Sequence, residues 1–515
     1  MVVNLKSGVE RISPPALGVS PAALAAQKVL PDDKRTDALA SKFVAALILF
    51  SITEVILFEA AKHFQLALAI AEYTLVIALF VYRRTVGISL HLAFTLLSMG
   101  AWSYVTTEGL PNTYWGLRMG GVSFNIVLTL GFAAIALVTR NPLEIYRSAP
   151  FEIRATLWIF AGGAGYGALR VAGGANYYDA WYADMTVYSP VVMYLILLNE
   201  VGRNACMTIV KSGMACAVFA MALSSVIGQS FDYGDGYKFA LISAIGYIGV
   251  VAVPFMYSQY GIKIYCILLA CVAFLVAKGA LFIGGKTIVL CVVFFFWSAV
   301  RSWRAGAIAI GTTLVLFYFR AEIATFLFTK VLTGDLMEYK YSQLEEVFRV
   351  DSMHELAASS SSMGNLAAEA ASIGASHAAD PFSAFIGRGF GGGVADTYGY
   401  LSPLARPGAG YTMLDAVRNY FWRMHLPVLE VALKGGFLGL IMYATIGLTL
   451  LRRQSIFALA AFVVLALVVT NTKEMILCYM ILTICCTGSA GAWGPLGLQL
   501  QGPIHGRPKK PNRIL

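Results

Sequence analysis

Histidine is the side chain best suited to move protons near neutral pH. His425 stands in Arg423-Met424-His425-Leu426-Pro427, directly before an apolar stretch and at the end of the longest polar region between apolar blocks. Pro427 suits the first turn of a helix, and Glu430 falls in that turn, where negative charge is favoured. Lys434 follows four residues later on the same face, so the pair partly neutralises itself. Gly435, Gly436 and Gly439 give this helix a small face for close packing. A histidine at the mouth of such a helix is held at a fixed depth, which a catalytic base needs. A plain interfacial position is the competing reading.

Two further groups suit anion and sugar chemistry. The run Gly387-Arg388-Gly389-Phe390-Gly391-Gly392-Gly393 offers backbone N–H groups that cradle an anion and an arginine that clamps phosphate in bidentate fashion; a flexible turn explains it equally well. Arg170, Arg349, Arg388, Lys278 and Lys286 are cations at or near the hydrocarbon boundary, and a diphosphate is a natural partner for them. Snorkelling to lipid headgroups competes, most strongly for the lysines. Residues 173–190, with Tyr178 and Trp181, mix aromatics and carboxylates as sugar-binding surfaces do, although such aromatics also anchor helices at interfaces. Residues 228–238 do the same. Tyr411, Arg423 and Glu430 complete the expected acceptor or sugar contacts. No carboxylate cluster demands a metal; Asp232 and Asp235 are the best pair if one exists.

These groups must be mounted on a membrane scaffold. Of 515 residues, 58% are hydrophobic and 13% charged, about half the charged share of soluble domains. The apolar blocks are long enough to cross a hydrocarbon core about 30 Å thick as helices. The pattern predicts an all-α polytopic membrane protein of about fourteen spans. They lie near 43–61, 65–82, 87–107, 122–139, 155–172, 187–201, 207–227, 237–258, 263–281, 284–300, 305–328, 428–449, 455–470 and 474–491. Residues 1–42 form a cytoplasmic tail with no removable signal peptide, 329–427 a large outer loop, and 492–515 a second cytoplasmic tail. Basic residues such as Arg83, Arg84, Arg140, Arg147, Arg452 and Arg453 gather on the inner side, so the net charge of +10 reflects membrane orientation and not nucleic-acid binding. All eight cysteines lie in or beside apolar spans and read as packing residues. Within the loop, residues 356–379 are rich in Ala, Ser and Gly and are assigned no chemistry.

The late loop, its Gly387-Arg388-Gly389-Phe390-Gly391 turn, His425-Leu426-Pro427-Val428-Leu429-Glu430 and Gly435-Gly436-Phe437-Leu438-Gly439 together resemble the bacterial O-antigen ligase and O-antigen or exopolysaccharide polymerase superfamily. Ala277-Lys278-Gly279 is similar to that family's Ser-Arg-Gly position, with Lys for Arg, and Leu426 stands where the family has Asn. The resemblance implies a GT-C-like helical glycosyltransferase with His425 as its base and no cofactor. The implied donor is a glycan on undecaprenyl diphosphate, met at the periplasmic face of the inner membrane. The lipid bilayer, a chain-length regulator and a flippase are the implied partners. Polymerase is favoured over ligase. A transporter or flippase is the alternative from another class, for which Glu54 and Glu72 inside the first two spans are the relevant residues.

Overall fold

Backbone polar groups inside a bilayer are satisfied only within helices or closed barrels, and the described residues are mostly helical. The computed structural model describes residues 33–60, 62–98, 113–119, 122–149, 151–227, 230–232, 238–240, 244–253, 260–277, 352–358, 362–402, 411–452 and 472–486. Within them the helices are α1 (Asp33–Ala60), α2 (Lys62–Tyr82), α3 (Arg84–Leu97), α4 (Phe124–Thr139), α5 (Pro142–Ser148), α6 (Phe151–Ala172), α7 (Tyr178–Ile227), α8 (Ala244–Ala252), α9 (Ile262–Ala277), α10 (Met353–Ala358), α11 (Ser362–Ala379), α12 (Pro381–Ile386), α13 (Met413–Arg418), α14 (Pro427–Arg452) and α15 (Thr472–Cys486). Two short antiparallel ribbons pair β1 (Arg118–Met119) with β2 (Val122–Ser123) and β3 (Ser230–Asp232) with β4 (Lys238–Ala240). Asp232 lies opposite Lys238 in the second ribbon, while Asp235 lies outside the described residues. Among the described residues, Phe64–Tyr82, Tyr178–Ile227 and Pro427–Thr449 are long and apolar enough to cross a membrane. The spans expected at 284–300, 305–328 and 455–470 lie outside the described residues.

The central element is α7, which packs against α1, α3, α4, α6, α8, α9 and α15. It joins the two spans expected over 187–201 and 207–227, with one break at Gly202 (φ 78°, ψ 174°). It also begins earlier than expected. Asp179 falls in its first turn, where it suits the positive end of the helix dipole, so most of the aromatic segment 173–190 is helix. Near the Gly202 break, Glu200 accepts Arg84 at 3.2 Å and Arg140 at 2.9 Å. Three connections between apolar segments therefore meet at one end of the bundle.

The opposite end holds a second, smaller core of Ala368, Ile373, Val394, Leu401, Tyr411, Phe421, Met424 and Leu433. Here α11 fills most of residues 356–379 and packs against α12 and α14. Asp380 caps α12 by accepting the Ser383 N–H at 3.2 Å, and Pro381 opens it. Thr412 and Asp415 form a reciprocal capping box on α13.

Helix α14 is broken at Gly436 (φ 57°, ψ −152°). The break releases the Leu433 and Lys434 carbonyls from the helix. They accept the Arg388 N–H at 2.9 Å and the Gly389 N–H at 3.0 Å. The small face of α14 thus receives a turn of the loop. At Gly387 (φ 80°) an added Cβ would lie 2.2 Å from the Lys434 carbonyl oxygen, and at Gly436 it would lie 2.4 Å from the Gly387 nitrogen. Positive φ and backbone collision act together, so Gly387→Ala and Gly436→Ala should each cost more than about 2 kcal/mol. Gly165→Ala, with open space around it, serves as the control. Thermal unfolding in detergent checks this; melting temperatures equal to that of Gly165→Ala would contradict the packing described.

Candidate functional site

His425 lies two residues before α14, and three contacts fix it. Its Nδ1 meets the Glu369 carboxylate, and its backbone N–H donates to the same carboxylate at 3.0 Å and 3.2 Å. The Tyr411 hydroxyl also donates to Glu369, and the Tyr411 ring stands edge-on to the imidazole at 5.5 Å. Glu369 is fully buried, whereas the His425 side chain keeps 24% of its surface accessible. A neutral imidazole that gives its Nδ1 proton to a carboxylate carries its basic lone pair on Nε2. The buried carboxylate also stabilises the imidazolium that forms when Nε2 takes a proton. This is a histidine oriented for general-base work.

Immediately behind His425 lies a buried ammonium. Lys434 contacts Asp184 of α7 at 2.5 Å and Glu430 one turn before it. The carboxylates are shared with the backbone: Asp184 accepts Gly391 N–H at 2.6 Å, and Glu430 accepts Met424 N–H at 2.8 Å and the Tyr188 hydroxyl at 3.3 Å. Glu430, expected as a sugar contact, is thus engaged in holding the His425 segment in place.

A second cluster gathers Arg170 from the end of α6 with Arg388, His377 and Asp380. Arg170 donates to Asn176 Oδ1 at 3.2 Å, to Ser383 Oγ at 3.2 Å and to Tyr166 at 3.4 Å. Ser383 in turn donates to Asp380 at 2.5 Å. The Ser383 hydroxyl and N–H hold the Asp380 carboxyl below its ordinary range, and both arginines add to this. Arg388 reaches the Gly393 carbonyl at 2.8 Å, and its buried Nε has no hydrogen-bond partner among the described residues. Burial and the nearby Arg170 charge both weaken its hold on the proton. Two guanidinium groups this close, with one carboxylate of their own, favour an anion between them.

The glycine turn carries the arginine but is not an open cradle. The N–H groups of Gly387 to Gly392 donate in order to Ser383 O, Leu433 O, Lys434 O, Gly163 O, Asp184 and Gly389 O. Buried Asn176 closes the other side, donating to the Arg388 and Phe390 carbonyls at 2.9 and 3.3 Å. The turn is therefore a plug between α6, α7 and α14, and anion binding falls to the side chains.

The remaining expected residues divide by surroundings. Trp181 donates its indole N–H to the Ala164 carbonyl at 3.1 Å and lines the plug. Tyr411 is buried and serves Glu369. Tyr178 is exposed and stacks on Tyr182, and exposed Arg423 lies 4.3 Å over the Trp422 ring. Arg349, Lys278 and Lys286 lie outside the described residues.

Sequence reasoning missed Glu369, Lys434's link to Asp184, and His377. His377 lies two turns beyond Glu369 on the same face of α11, about 12 Å along the axis, so one helix touches both clusters. Its buried Nε2 has no hydrogen-bond partner among the described residues. Burial and the Arg388 charge pull its pKa below the usual 6.5, which favours the neutral imidazole, while Asp380 opposes them. A histidine NMR titration of the purified protein should place His377 below 6.5, and Arg388→Gln should move it up. A His377 pKa indifferent to Arg388→Gln would show that the two side chains do not share a site.

The chain matches no family model, no curated protein and no solved structure.

Proposed function

We propose that this chain is a membrane glycosyltransferase that polymerises oligosaccharide repeat units carried on undecaprenyl diphosphate. In this reading about fourteen spans form a GT-C-like scaffold in the bacterial inner membrane, with both termini cytoplasmic and the site at the periplasmic face. The observation that carries the reading is the His425–Glu369 pair on the same rigid end of the bundle as the Arg170–Arg388 pair. A partly exposed base oriented by a buried carboxylate, at the same end of the bundle as two guanidinium groups, suits transfer from a diphosphate leaving group.

The steps follow from these roles. His425 Nε2 takes the proton from the acceptor sugar hydroxyl, and Glu369 stabilises the resulting imidazolium. The freed oxygen attacks the anomeric carbon. The bond from that carbon to the diphosphate oxygen breaks on the opposite face, which inverts the centre. The electron pair leaves with the lipid diphosphate, where Arg170 and Arg388 oppose its charge; Arg349, Lys278 and Lys286 are further candidates. Tyr178 and Arg423 are the accessible candidates for sugar contact. The lipid-linked glycan is the substrate, and a flippase and a chain-length regulator are the partners that this chemistry calls for.

Glycan gels of a deletion strain carrying variants test the reading. His425→Ala and Glu369→Gln should each cut polymer by about 10²-fold or more at unchanged protein level, leaving single-unit products. Normal polymer length with His425→Ala would refute the catalytic role. Polymer accumulating on undecaprenyl diphosphate would instead mark a ligase, and loss of precursor from the outer leaflet a flippase.

A further inference from the structure

The first two apolar helices enclose a small cleft between two acidic side chains. Glu54 of α1 and Glu72 of α2 line it together with Gln65, Thr113 and Tyr114. Both glutamates are only 5% exposed, and Gln65 and Thr113 are equally buried. Glu72 lies eleven residues before Arg83, roughly 16 Å along the helix, which is about the half-thickness of a hydrocarbon core. Ionisable groups at that depth are costly and mark ion or proton sites.

Three features decide what the cleft takes. First, Glu72 Oε1 is buried and has no hydrogen-bond partner among the described residues. That oxygen keeps its acceptor capacity for a ligand. Second, the polar lining is made of oxygen ligands, namely two carboxylates, an amide and a hydroxyl, which suit a hard cation. Third, the space holds about one water-sized particle, too little for any organic group.

The wall is also rigid. Tyr73 donates to the Tyr114 carbonyl, and the Tyr114 hydroxyl meets His91 Nδ1 at 2.7 Å. His91 Nε2 contacts Thr129 at 2.8 Å, and the Gly116 N–H holds Thr113 Oγ1 at 3.1 Å. Ser98 donates to Glu54 at 3.4 Å. A preformed oxygen cage loses little entropy on taking an ion.

We propose that the Glu54–Glu72 cleft binds one monovalent cation of the sodium class within the membrane part of the protein. The ion ties α1 to α2 and to the turn around Tyr114, independently of the His425 site. Binding of radiolabelled sodium to the purified full chain tests this, with melting temperature compared in sodium and in choline chloride at equal ionic strength. One saturable site is expected, together with a rise of about 2–4 °C in sodium. Glu72→Gln, nearly isosteric, should lose both effects while melting in choline like the wild type. Absence of saturable sodium binding to the wild type would overturn the proposal. So would a melting temperature that responds to pH alone, which would assign the cleft to a proton. Sodium binding retained in Glu72→Gln would likewise refute it.

Discussion

The arrangement at the His425 end depends on one buried ammonium. Lys434 is 6% exposed and faces both Asp184 and Glu430. An ammonium taken from water costs several kcal/mol unless it is paired, and two carboxylates around one cation leave an excess of negative charge. Backbone N–H groups meet that excess: Gly391 serves Asp184, and Met424 serves Glu430. The glycine turn and the His425 segment are thus the groups that complete the charge balance. Four parts of the chain, namely α7, α14, the turn and the segment before α14, are fastened at one point.

The break at Gly436 supplies what the ion cluster lacks, a place for the turn to enter. Carbonyls released from α14 capture the Arg388 and Gly389 N–H groups. Arg388 is thereby delivered beside Arg170, more than two hundred residues earlier in the chain, with Asn176 bridging the two. On the other side, Glu369 receives His425 through both its ring and its backbone. The rigidity of the site therefore comes from backbone groups bonded across segments, which hold side-chain geometry more firmly than side-chain pairs alone. In the proposed reaction this rigidity keeps the base and the diphosphate-facing charges at a constant separation.

Parts of this were legible in the residues. The four-residue spacing of Glu430 and Lys434 foretold their pairing, because helix geometry alone brings them together. The gathering of Arg84 and Arg140 at one end follows from the charge asymmetry of the connections. Other parts were not legible. Glu369 sits in an Ala- and Ser-rich helix 56 residues before His425, and nothing local marks it as a partner. The glycine turn carries the composition of an anion cradle, yet its N–H groups are taken up by α6, α7, α12, α14 and the turn itself. Gly436 reads as a packing residue, since a glycine in an apolar helix looks the same whether the helix bends or not. Composition records what a segment can do, and only the contacts made across long separations decide which option is used.

The central claim is that His425, held by Glu369, drives transfer from a lipid diphosphate. Its most direct measurement uses the purified protein in vesicles with a synthetic oligosaccharide on a polyprenyl diphosphate, following chain growth and free polyprenyl diphosphate together. The account predicts one released diphosphate for each new glycosidic bond, with both products lost when His425 becomes alanine. Chain growth without diphosphate release, or release undiminished in the His425→Ala protein, would contradict it.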